Sequence, residues 1–283
     1  MIGTEAASRP GTFSALSWRG AIRVPPGFQA GLLSVGLLAV ILALWQTAWA
    51  SGTVSPLILP RPLDVASVLL TGVVRGSWAN DIWFTLEETL AGFLSGVAAA
   101  IALGAVLATS ERLRQALYPY VLAIQTFPKI AIAPLLMAWF GYGLAPKIVI
   151  AALLAFFPVF ANTLAGFLEV DAALVELFRS LRASRWQEMR LLRLPNAIAF
   201  IVPSLDVALV LALLGAIAGE LAGSAAGLGN VIQQRTFLGD TAAVYAVLLL
   251  LAGLGILLRA AMKVLIGWTR RRSRSQARRR PAV

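Results

Sequence analysis

No charged residue stands between Arg23 and Arg61, and the centre of that interval, Gly31–Ala50, is a run of 20 mostly apolar residues. A helix rises 1.5 Å per residue, so about 20 such residues cross the roughly 30 Å hydrocarbon core of a bilayer. Five further segments share this character: Thr89–Thr109, Leu117–Phe140, Ile148–Leu168, Asn196–Gly219 and Thr241–Leu258, the last extending towards Ile266. An ordinary soluble domain is about 45–50% apolar and 25% charged. This chain of 283 residues is 59% hydrophobic and 13% charged. No soluble core of that length absorbs so much apolar surface. The expected fold class is an all-α integral membrane protein with about six transmembrane helices. Ala48-Trp49-Ala50 imitates a signal-peptide cleavage site, but the preceding apolar run is longer than a signal sequence needs, so a retained helix is expected.

Lys and Arg set the orientation. With the N-terminus inside, 19 of them fall on inner segments and only four, Arg61, Arg75, Lys147 and Arg235, on outer ones. The positive-inside rule then places both termini in the cytoplasm. Trp45, Trp49, Trp139 and Tyr142 fall at outer ends, and Tyr118, Tyr120 and Trp268 at inner ends, as interfacial aromatics do. The expected organisation is a cytoplasmic N-terminal tail over 1–30, a transmembrane domain over 31–266 with a cytoplasmic loop at 171–195, and a basic cytoplasmic tail over 267–283. That tail holds seven arginines of a chain whose net charge is +11. Beside a membrane helix they read as an anchor on anionic membrane lipid rather than as a nucleic-acid site.

There is no Cys and no His, which removes thiolate chemistry, Cys/His metal sites and His-based triads, and no cofactor is expected. None of the lysines, Lys129, Lys147 and Lys263, follows a glycine, so there is no phosphate-binding loop and any ATP chemistry belongs to another chain. Gly92/Gly96 and Gly215/Gly219/Gly223/Gly227 have the four-residue spacing that lets membrane helices approach closely. Pro62–Val74 has apolar residues near helical spacing and reads as a short helix on the membrane surface. Ala222–Asp240 reads as a glycine-rich loop over the outer mouth.

Asp171–Pro195 carries five arginines yet is no polar linker. Leu174, Leu177, Phe178 and Leu181 make one apolar helical face, and Ser184-Arg185-Trp186-Gln187 reads as a capping box opening a second short helix. Two short helices at a sharp bend, apolar on one side and cationic on the other, fit a membrane-surface pair or a docking knob for a soluble partner equally well.

Here the chain resembles a family. Glu176-Leu177-Phe178, then Arg182-Ala183-Ser184, then Leu192-Arg193-Leu194-Pro195 has the spacing of the EAA loop of ABC-importer permeases. Leu177-Phe178 stand where that family has two alanines, and Arg182 where it has glycine. Pro128–Gly141, Phe156–Gly166 and Glu220–Gly229 resemble further segments of the nitrate/sulfonate/taurine/pyrimidine importer permeases. The resemblance implies a type I ABC-importer permease architecture and a permease homodimer. It also implies two cytoplasmic ABC ATPase subunits and a periplasmic or lipoprotein solute-binding protein. It assigns ATPase coupling to Glu176, Leu177, Phe178, Ser180, Leu181, Arg182, Ala183, Ser184 and Arg185. The alternative of an ion-coupled secondary transporter leaves this loop unexplained, and no internal repeat supports it.

Ionisable or polar groups inside spans are candidates for the translocation path. Lys129, between Pro128 and Pro134, either faces the solute or pairs with Glu88 or Asp206. Asn162 either lines the path or bonds between helices. Glu88, beside Glu87 at the start of the second span, and Glu220, at the end of the fifth, are either path residues or water-exposed interfacial carboxylates. Sulfonate-type relatives often carry Arg near the Glu88 position, so Glu there implies a pyrimidine- or riboflavin-like solute.

Overall fold

The computed structural model describes residues 26–278, with side chains over 33–268. Among the described residues every regular element is helical: α1 (Pro26–Ala50), α2 (Pro62–Val74), α3 (Ala79–Thr109), α4 (Glu111–Thr126), α5 (Ala133–Phe140), α6 (Leu144–Leu168), α7 (Ala172–Ser180), α8 (Arg185–Glu188), α9 (Leu194–Ala222), α10 (Leu228–Phe237) and α11 (Thr241–Arg278). Five are long and apolar enough to cross a membrane, and a sixth crossing exists if the bent pair α4–α5 is counted as one.

The centre is a three-helix unit in which α6 packs against both α3 and α9. Small residues make this possible. A Cβ on Gly96 of α3 would lie 2.5 Å from the Ala152 carbonyl oxygen, and one on Gly215 of α9 would lie 2.7 Å from Ala151 Cα. Both are closer than carbon atoms tolerate, so the backbones touch where a side chain would separate them. In lipid, helix association rests on this kind of packing because burial from water is no longer available as a driving force. Phe160 of α6 is fully buried, with Phe156 stacked at 5.4 Å and Tyr118 of α4 at 6.5 Å between ring centroids. The expected spacing fails beyond Gly219: Gly223 and Gly227 have φ of +152° and +103° and belong to the turn after α9.

The span expected over Leu117–Phe140 is not one helix. α4 stops at Thr126, a 3₁₀ turn covers Lys129–Ile132, and α5 leaves at 80° to α4. Pro128 disfavours helix at Phe127, which is extended at φ −67° and ψ 136°, and Pro134 restarts it at the first turn of α5. The segment 222–240 holds the regular helix α10 rather than a plain loop. α2 has the expected bounds, and α11 continues past residue 266 to Arg278. α1 is held at its C-terminal end, where Trp45 Nε1 donates to the Pro60 carbonyl at 3.0 Å and the Arg61 guanidinium sits 5.3 Å over Trp49. The tail expected over 267–283 is helix as far as Arg278, and 1–25 and 279–283 lie outside the described residues.

Candidate functional site

The 171–195 loop folds as its local chemistry dictates. Asp171 caps α7, its Oδ1 accepting the Ala173 N–H at 2.9 Å. At the other end the Ala183 N–H bonds the Phe178 carbonyl and the Arg182 N–H bonds the Arg179 carbonyl, both at 2.9 Å. That pairing is the Schellman closure, whose left-handed residue is ordinarily glycine. Here it is Arg182, at φ +54°, the only non-glycine with positive φ among the described residues. Ser184 then forms a complete capping box: its Oγ accepts from the Gln187 N–H at 3.2 Å, and Gln187 Oε1 accepts the Ser184 N–H at 2.7 Å. A π-turn over Met189–Arg193 joins α8 to α9. Arg193 ties this joint to α6, donating to the Phe167 carbonyl at 2.9 Å while also pairing with Glu188.

The loop presents an unpartnered apolar face. Leu174, Leu177 and Leu181 are exposed, Leu181 by 71%, as is Trp186, while Phe178 is half-buried. Glu176, Ser180, Ser184 and Arg185 are exposed, Ala183 is half-buried, and the Ser180 hydroxyl bonds back to the Leu177 carbonyl at 2.8 Å.

The intramembrane charges are arranged differently from expectation. Lys129 pairs with neither Glu88 nor Asp206. It is half-buried at the α4–α5 elbow, and its Nζ donates to the Gln125 carbonyl at 2.8 Å, capping the end of α4 with a cation. Asp206 is held instead by Arg259 of α11 at 2.8 Å. Asn162 folds onto its own helix, donating to the Pro158 carbonyl at 2.8 Å, and bridges no helix pair.

Glu88 and Glu220 are fully enclosed rather than water-exposed. Glu88 Oε1 accepts from Lys147 Nζ at 2.6 Å, and the same ammonium donates to Ser224 Oγ at 2.7 Å. Glu220 accepts the Thr85 hydroxyl and the Gly229 N–H, both at 2.6 Å. Thr85 Oγ1 in turn accepts the Leu228 N–H at 2.9 Å, and Asp81 the Gly227 N–H at 2.9 Å. The first N–H groups of α10 are thereby met by oxygens from α3 and α9, where a helix N-terminus favours anions. Gly227 is obligatory at this turn: at φ +103° a Cβ would also collide with the Glu220 carboxylate. The Glu220–Gly229 segment is thus a folded clamp on the end of α10. Lys147 was missed because it reads as a loop cation; its first-turn place in an apolar helix, opposite Glu88, was the signal available.

A match to the family of binding-protein-dependent transport system inner membrane components covers residues 96–272. The chain belongs to that family. The formylaminopyrimidine transport permease ThiX of Halalkalibacterium halodurans is 31% identical over 241 residues, 82% of this chain and 94% of its own length. The taurine transport permease TauC of Escherichia coli K12 is 32% identical over 238 residues, 82% of this chain and 86% of its own length. In fold, the chain resembles a subunit of the inward-facing MetNI methionine ABC transporter, with a TM-score of 0.56 and 23% identity over 65% of this chain and 92% of the other. This permease is accordingly a multi-pass membrane subunit of an ABC importer, in which ATP hydrolysis is the work of a separate subunit.

Proposed function

We propose that two copies of this permease form the translocation path, bind two cytoplasmic ABC ATPase subunits through the 171–195 loop, and receive solute from a periplasmic or lipoprotein binding protein. The observation that carries this reading is the exposed apolar face of Leu174, Leu177 and Leu181, held rigid by the Schellman closure and capping box on the arginine-rich side of the bundle. Glu176 to Arg185 form the coupling element, with Arg182 and Arg185 meeting acidic groups at the rim of the ATPase groove and affecting encounter more than affinity. Both termini are cytoplasmic. Lys129, at an elbow rather than within a helix, faces the path with two N–H donors still available. Asn162 lies on the same path. Glu88 and Glu220 serve the path indirectly, by fastening the outer ends of α3, α6 and α9.

The solute is a small sulfonate such as taurine or a pyrimidine- or riboflavin-like precursor, a reading supported by the relatives named for taurine and formylaminopyrimidine transport. The test is uptake of taurine and of formylaminopyrimidine by proteoliposomes holding the permease, its ATPase and its binding protein. Uptake of one of them that needs ATP and the binding protein, and withstands a protonophore, is the expected result. Uptake without ATP that collapses with the protonophore would make the chain an ion-coupled carrier instead.

A further inference from the structure

We propose that the groove between the end of α3 and the α8–α9 joint is a binding site for one anionic phospholipid of the leaflet on the arginine-rich side. The groove measures about 430 Å³ and is walled by Val106, Phe167, Trp186, Met189, Arg190 and Leu194. It lies where α3 and α6 end and α9 begins, with Thr109, Leu168 and Leu194 at those ends, so it sits at the level of headgroups rather than in the hydrocarbon core or in bulk water.

Three features select the occupant. The walls are apolar, as an acyl chain requires. Arg190 is exposed and has no hydrogen-bond partner among the described residues, unlike Arg193, which is held by Glu188 and the Phe167 carbonyl. Arg190 lines the groove with its apolar stem and is exposed beyond it, and an unpaired guanidinium on such a stem matches a phosphodiester, whose oxygens accept its planar fork. Trp186, 70% exposed and with no hydrogen-bond partner for its indole among the described residues, has the amphipathic ring that settles at headgroup depth. Met189 and Arg190 both belong to the π-turn, so the widened turn places an apolar and a cationic side chain on one wall. A lipid seated there fastens the second helix of the loop to the membrane while Leu177 and Leu181 stay free. The site depends on the orientation given above and not on the identity of the solute.

The test uses the full chain in detergent, titrated with phosphatidylglycerol or phosphatidylcholine carrying brominated acyl chains. Trp186 fluorescence is isolated as the difference between the chain and its Trp186→Phe variant. Phosphatidylglycerol is expected to quench Trp186 at about tenfold lower concentration than phosphatidylcholine, the ratio expected of one charge-assisted contact. Arg190→Gln should erase that preference, Arg190→Lys should restore part of it, and Val106→Phe should block quenching by filling the groove. Equal quenching by the two lipids, or a preference unchanged in Arg190→Gln, overturns the proposal. So does loss of quenching on adding the ATPase, which would make a protein surface the occupant.

Discussion

Lys147 ties together three helices of the outer half of the bundle. The residue is 3% exposed, and its ammonium bonds Glu88 of α3 and Ser224 of the α9–α10 turn while its stem lies against Gly219 of α9. Removing one partner of a buried ion pair leaves the other charged and unsolvated, which costs about 3–5 kcal/mol. Lys147→Met should therefore lower the thermal stability of the purified permease sharply, and adding Glu88→Gln should recover much of the loss. The measurement is the midpoint of heat-induced aggregation for the two single variants and the double. An additive double variant would show that the two side chains do not interact. Lys147 was hard to read in the sequence because its partners lie 59 and 77 positions away. Glu220 was easier to notice, since its glycines follow closely, but its bond to Thr85 spans 135 positions and leaves no local trace.

At the scale of elements, local signals were legible and long-range ones were not. The α7–α8 loop was readable because its signals lie within a few residues: the apolar face of α7 and the Ser184–Gln187 capping box before α8, to which the structure adds the Asp171 cap. The α4–α5 break was not, because prolines in an apolar run also occur in continuous kinked helices. The helix boundaries were drawn too short at α3 and α6, whose outer turns carry the polar residues that close the Glu88–Lys147 cluster. The bend at Arg182 yields a prediction of its own. A left-handed conformation costs an ordinary residue about 1–2 kcal/mol relative to glycine. Arg182→Gly should raise the stability of the loop by about 1 kcal/mol, and the β-branched Arg182→Val should lower it. Hydrogen exchange of the 178–185 amides compares the three proteins, and slower exchange in Arg182→Val than in Arg182→Gly would contradict the strain argument.

At the scale of the whole molecule, the composition was enough to set the class, and the Lys/Arg asymmetry sets an orientation that can be measured. A reporter active only in the cytoplasm, fused after Val283, should be active, and the same reporter placed after Gly52, in the turn following α1, should be silent. The reverse pattern would place the 171–195 loop outside the cell and sever it from any ATPase. In the proposed function this loop transmits ATP-driven motion to the spans. The most direct test is substrate-stimulated ATP hydrolysis in proteoliposomes for the complex carrying Leu181→Asp. Leu181 is largely exposed, so the permease itself should fold normally, while a carboxylate at that position is buried unpaired if the ATPase covers it. Leu181→Asp should reach the membrane in normal amounts but lose the bound ATPase, or keep it with hydrolysis no longer stimulated by solute. Normal stimulation with the ATPase in place would contradict it.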